Sequence, residues 1–200
     1  MTDHKAFYDE IATIVALPPD ERHRRCAAMH DRVAAGYCEA VRAITPQAAA
    51  RPSSDGRTLA QVVGHIAEWD RCMVLAAGDI LAGVERPRFF TRGYGYIEPD
   101  GATVDFKDID DFNRYQAERQ AAWPWEHIRD VALRSATMLH ALFTHPALLS
   151  SALLDRSKER KWPLANGQKV TLTGGWFVWV IVLEHEGVEH AGDLGWGYDG

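Results

Sequence analysis

The chain is poor in the features that mark secreted, membrane-spanning or polyanion-binding proteins. Its three cysteines, Cys26, Cys38 and Cys72, are odd in number, widely spaced and without a CxxC pair. That excludes a disulfide framework and fits reduced thiols in a cytosol. The longest apolar run, Trp176 to Leu183, falls far short of the roughly 20 residues of a spanning helix, so no membrane partner is expected. The opening residues carry no apolar signal core, and a cytoplasmic location is the expectation. Positive charge is in deficit as well: the formal net charge is −6. Phosphate backbones are therefore disfavoured, and no nucleic-acid partner is expected. Two short basic clusters, Arg22-His23-Arg24-Arg25 and Lys158-Glu159-Arg160-Lys161, read as solvated faces. Internal repeats and low-complexity tracts are missing too.

What remains is an ordinary globular balance, with 46% hydrophobic and 25% charged residues over 200 positions. This length suits one domain spanning residues 1–200 and buries a core without metal staples, so a metal is expected to serve function rather than folding. The pattern is helical. Residues 3–16 form a short amphipathic helix stopped by Pro18-Pro19. Asp20 then caps a helix running to about Ile44, with Met29, Val33, Tyr37 and Val41 on one stripe. Thr58 caps the next, which reaches about Gly83 along Val62, Ile66, Trp69, Met73, Ala76 and Ile80. Residues 84–104 lack a helical period and form a long connection. A third long helix spans Asp108 to about Phe143, kinked or broken at Pro124, a short helical piece follows Pro146, and Trp162 to Gly167 is loop. The last segment is readable in two ways. Val170–Thr173 and Trp176–Leu183 flank Gly174-Gly175 as a hairpin would. A helix from Thr173 or Gly174 to about Leu194 is preferred, because the chain offers no sheet to bury an isolated hairpin.

Chemistry concentrates at the ends of two helices. His65 lies on or beside the core stripe of its helix, and in the last helix Glu186 and His190 stand four residues apart, on one face of an α-helix. Imidazole and carboxylate from two helices suit Zn²⁺, Ni²⁺ or Fe²⁺, with an open position left for water or substrate. His185 and Glu189 are a rival pair at the same spacing. The stripe through His190 holds Trp176, Trp179, Leu183, Gly187 and Leu194, whereas that through His185 continues to Glu189 and Asp193. This places Glu186 and His190 inward and His185 at the rim. Spacing alone does not decide for a metal, because a single His beside an apolar stripe is more often a hydrogen-bonded core residue than a ligand.

A family likeness adds weight. The segment Thr58-Leu-Ala-Gln-Val-Val-Gly-His65-Ile resembles the second-helix signature of the DinB-like (YfiT-like) four-helix-bundle superfamily, in which a metal-binding His follows a helix-opening Thr. Asp111-Phe112-Asn113 looks like that family's start to its third helix, and Glu186-Gly-Val-Glu-His190-Ala-Gly-Asp193 resembles its C-terminal motif. The resemblance covers roughly residues 20–194. It implies an all-α, DinB-like four-helix bundle with long connections and an extra short N-terminal helix. It also implies a metal set of His65, Glu186 and His190, with Glu where the commoner pattern has His. That variant is similar to the mycothiol-dependent maleylpyruvate isomerases.

Two activity classes follow from the likeness: a transferase or isomerase using a low-molecular-weight thiol, and a metal-dependent hydrolase using water. Both act on a small-molecule substrate through a metal that lowers the pKa of the nucleophile. His185 and Glu68 are the nearest candidates for a general base, although surface roles are the commoner ones, and Cys72 reads as a small buried hydrophobe. In the 84–104 connection, Arg88, Phe89, Phe90, Arg92, Tyr94 and Tyr96 suit either a lid over an anionic or aromatic molecule or a bundle crossover. A different class is a non-catalytic binding protein that forms a homodimer through tryptophan-rich faces, and Trp123 and Trp125 read as core or dimer packing.

Overall fold

Prolines and capping side chains set where the helices begin. The computed structural model describes residues 4–84, 87, 96–98 and 100–198. Helix α1 spans Lys5–Val15 and α2 spans Pro19–Ala43. Pro19 opens α2, where its missing N–H has no helical partner to lose. Asp20 lies inside that first turn instead of capping it; its charge still favours the positive end of the helix dipole. A single turn, α3 (Pro46–Ala49), precedes α4 (Leu59–Leu81). At α4 the expected cap is present and doubled. Thr58 Oγ1 accepts from the backbone N–H of Gln61, whose side chain accepts from the N–H of Thr58 at 2.7 Å.

The helix expected over residues 108–143 is two helices, α5 (Ile109–Gln120) and α6 (Trp125–Thr144). Pro124 sits just before α6, so its fixed φ starts the second helix after a sharp change of direction. A turn, α7 (Ser151–Leu154), leads to two short strands and then to α8 (Gly174–Glu184), which runs on as a π-helical turn over His185–Glu189. The bundle is made by α2, α4, α6 and the α8–π segment, with α4 packed on α6 and α5. The predicted stripes supply much of its core: Met29, Val33, Tyr37 and Val41 of α2 and Val62, Ile66, Met73, Ala76 and Ile80 of α4 are buried, and Trp69 is partly so. Helix α8 is buried on every side, as a helix apolar all round must be. Gly175 permits this, since a Cβ there would lie 2.6 Å from the carbonyl of Leu154.

The preference for a helix over the last segment holds from Gly174 to Glu189, and residues 190–195, expected to continue it toward Leu194, are turn. Residues 162–167, expected as loop, divide between strand and turn. A strand over Arg160–Pro163 pairs antiparallel with one over Lys169–Leu172, from Arg160 opposite Leu172 to Pro163 opposite Lys169. Val170 and Leu172 therefore pair backwards in the chain, not forwards across Gly174-Gly175. The hairpin escapes isolation by packing: Val170 and Leu172 are buried, and Trp162 stacks on Phe177 with ring centroids 4.3 Å apart.

Within the long connection, Tyr96–Ile97 and Thr103–Val104 form a minimal antiparallel pair. Arg71 donates to the carbonyl of Ile97 at 2.5 Å, and Arg119 bridges Glu68 and Glu98. This end of the connection is thus latched to α4 and α5. Arg88, Phe89, Phe90, Arg92 and Tyr94 lie outside the described residues. All three cysteines are buried and unbonded. No helix among the described residues is long and apolar enough to cross a membrane.

Candidate metal centre

Position 65 is fixed by two neighbours. The capping box sets the register of the first turn of α4, and at Gly64 the helix backbone lies against α5. Gln120 of α5 donates to the carbonyl of Gly64 at 3.0 Å, and a Cβ on Gly64 would collide with that amide. The imidazole of His65 is thereby aimed at the end of α8. There the change of helix type matters. A π-turn bonds residue i to i+5 rather than i+4, so side chains five apart share a face. His185 and His190 are five apart.

The result is a nearly equilateral triangle of imidazoles. Ring centroids are 5.2 Å apart for His65–His185, 5.1 Å for His65–His190 and 5.2 Å for His185–His190. One nitrogen from each lies within 4.8 Å of the other two. Trp69, one turn after His65 on α4, walls the group at 5.5 Å from His185, its indole N–H donating to Asn113 of α5 at 3.2 Å. Of the residues expected to converge, His65 and His190 do. Their companion is His185, which the face comparison set at the rim, and not Glu186.

Glu186 points to the opposite side of the turn, into the core. It is fully buried, and its carboxylate lies 4.0 Å from Nε2 of His30 on α2. Trp179 donates to Nδ1 of His30 at 3.1 Å, so Nε2 carries the hydrogen and faces Glu186 as a donor beyond bonding distance. Asp70 of α4 and Tyr37 of α2 complete a sealed group in which Asp70 Oδ2, Tyr37 Oη, His30 Nε2 and both Glu186 oxygens lack a protein hydrogen bond. Burial, reinforced by Glu186, raises Asp70 well above the usual carboxylate range, and burial raises Glu186 as well. The same cause, with His140, holds His30 neutral, down to about 3. Sequence reasoning missed this group: each member sits on a helix stripe whose other residues are apolar.

Electrostatics on the open side favour neutral imidazole, the form that binds a metal. Burial depresses His65 to about 3 and His190 to about 4, and His185 falls well below its ordinary value. Arg57, one residue before the cap of α4, adds to the depression at all three. Both ring nitrogens of His185 are buried without a hydrogen-bond partner. One nitrogen of the orphaned His185 ring and one each from the neutral His65 and His190 converge and fit a divalent cation, while the carboxylate of Glu189 lies 3.9 Å from Nε2 of His185.

His65 also lines a cavity of about 510 Å³ between the start of α4, α5 and the start of α6, with Arg57, Asn113, Arg114, Gln116 and Trp123 among its walls. The other base candidate, Glu68, is committed elsewhere, paired with Arg119 and accepting from Tyr96. Cys72 is 1% exposed and burial pushes its thiol well up, so it is packing and not a nucleophile. Trp125 is buried, whereas Trp123 stands at the cavity with Arg119 over its ring.

No family model matches the chain, and no curated protein does. Among solved structures it is similar to the mycothiol-dependent maleylpyruvate isomerase and to a point variant of that protein. In each case the TM-score is 0.59 at 14% identity, over 91% of this chain. The chain spans 62% of the length of those structures. At this identity the likeness is one of fold, and the fold is an all-α helical bundle like theirs.

Proposed function

We propose that this protein is a metal-dependent enzyme that holds a divalent ion on His65, His185 and His190 and activates a low-molecular-weight thiol against a small-molecule substrate. The observation that carries the reading is the triangle of three neutral, converging imidazoles beside a cavity. The thiol is supported by the fold neighbours, which are named as mycothiol-dependent. When bound, the ion supplies a concentrated positive charge that lowers the pKa of a thiol or water at its open position. The chain's own residues do the rest. His65 and the π-turn histidines fix the position of that charge, and Trp69 limits the approach of water from one side. The cavity walls on α5 and α6 orient the substrate. Three imidazoles without a carboxylate leave more positive charge at the ion than a His–Glu–His set would. That donor set also favours a second reading, hydrolysis with water as the nucleophile.

The metal is tested by elemental analysis of protein purified without added metal. Zinc, nickel or iron is expected in stoichiometric amount, and His65→Ala, His185→Ala and His190→Ala are each expected to lose it. Absence of metal, or uptake indifferent to all three substitutions, overturns the proposal. A thermal-shift screen then separates the two readings, since a ligand of the native state raises its apparent stability. Stabilisation by mycothiol, bacillithiol or glutathione supports the thiol, and indifference to all of them leaves water.

A further inference from the structure

We propose that Glu189 is a positioning residue of the metal centre: its carboxylate takes the Nε2 hydrogen of His185 and so presents Nδ1 of that ring to the ion. Glu189 has this role only if the metal reading above holds, and it stands outside the ligand set. In the sequence, His185 and Glu189 form a pair four residues apart, interleaved with Glu186 and His190. The structure gives the members of that pair different places. His185 joins the triangle of imidazoles and Glu189 does not.

The placement is that of a group behind a ligand rather than beside the ion. Oε2 of Glu189 lies 3.9 Å from Nε2 of His185, yet the carboxylate is not among the donors that lie within 4.8 Å of one another. An imidazole that binds an ion through one nitrogen carries a hydrogen on the other, and in a buried ring that hydrogen needs an acceptor. His185 is 6% exposed, and neither of its nitrogens has a partner. The indole of Trp69 at its side is a donor only, already bonded to Asn113. Among the described residues, Glu189 is the one carboxylate within 4.0 Å of a nitrogen of the triangle.

Glu189 is free to close the gap. From 3.9 Å, a hydrogen bond of about 2.8 Å needs a movement of only about 1 Å. No hydrogen bond among the described residues holds the carboxylate elsewhere. It also borders a cavity of about 610 Å³ between α1 and the turn at Asn166, which leaves it room to swing. Both residues belong to one π-turn, so the backbone already sets them side by side. An ion on Nδ1 withdraws charge from the ring and makes the Nε2 hydrogen a stronger donor, so ion and carboxylate reinforce each other.

The test uses the full-length protein as wild type, Glu189→Gln and Glu189→Ala, each loaded with zinc. Glu189 is exposed, so neither substitution opens the core. Zinc affinity is read by competition with a chelating dye, and the His185 ring by ¹⁵N NMR. Glu189→Ala is expected to weaken zinc by about tenfold or more, and Glu189→Gln, which keeps an acceptor oxygen, to recover part of the loss. In the wild type, His185 should carry zinc on Nδ1 and a slowly exchanging hydrogen on Nε2, and that hydrogen should exchange faster in Glu189→Ala. Zinc on Nε2 of His185 overturns the proposal, as does undiminished affinity in Glu189→Ala. A loss as large in Glu189→Gln as in Glu189→Ala overturns it too, because the carboxylate would then be a ligand itself. A wild type that takes up no zinc overturns the metal reading and this role with it, an outcome distinct from the other three.

Discussion

Two polar groups flank the π-turn at the end of the last bundle helix, and they differ in one respect. On the outer side, His65, His185 and His190 turn their nitrogens toward one another beside a cavity. On the inner side, His30, Tyr37, Asp70 and Glu186 face one another with almost no access to solvent. Adjacent residues, His185 and Glu186, belong to opposite groups. Helix type alone makes that assignment. With bonds from i to i+4, His190 would share its face with Glu186; with bonds from i to i+5 it shares its face with His185. A cluster that carries a function must leave donors free, and a cluster in the core pays for every unmatched one. The first can therefore be tuned by what binds, the second only by protonation or substitution.

The largest effect expected is on the metal, and it decides between the two groups. His185→Gln should abolish stoichiometric binding, whereas Glu186→Gln should retain it, as read by elemental analysis of each variant. The opposite pattern would mean that the carboxylate is the ligand and that the turn adopts α register with metal bound.

Next in size is the cost of the inner carboxylates. Asp70 is held protonated by burial and by Glu186. Its folded value is raised, so its contribution is fully present below pH about 4 and is lost as pH rises from there toward the raised value. Asp70→Asn removes the charge at constant shape. It should stabilise the protein at alkaline pH, with little change near pH 4. Denaturant melts across that range would show it, and an equal shift at both ends would break the account.

An effect of opposite sign is expected from His30. Its folded value is depressed to about 3, so its contribution is present above the ordinary value near 6.5 and is lost as pH falls toward 3. His30→Gln should flatten the acid limb of the stability curve without altering metal content. Protonation of His65 and His190, depressed in the same range, remains in the variant and is removed by saturating zinc.

How much of this was legible follows from the range over which each signal acts. The helix start at Thr58 and the break at Pro124 depend on a few neighbouring residues and were legible, whereas α2 was expected to follow an Asp20 cap and instead opens at Pro19. The stripe of α4 was legible for the same reason. The pairing of Val170 with Trp162 was not, because it requires a partner eight residues upstream through a turn at Asn166-Gly167. His65 and His190 could be picked out, but their companion depends on a π register that periodicity at 3.6 residues does not contain. The spacing of five between His185 and His190 was the available signal.

The smallest effect sharpens the same distinction from the legible side. Thr58→Ala removes one half of the capping box, a loss of about 1 kcal/mol by thermal or denaturant melts. Thr58 and His65 are seven residues apart, two turns along one face of α4, and the helix beyond the first turn is held by Gln120 at Gly64 and by the core stripe. Fraying should therefore stop short of the imidazole, and zinc content should be unchanged in the variant. If zinc is lost with the cap, the outer cluster is held open by local helix chemistry and not by packing. The rigidity attributed to the α4–α5 contact would then be misplaced.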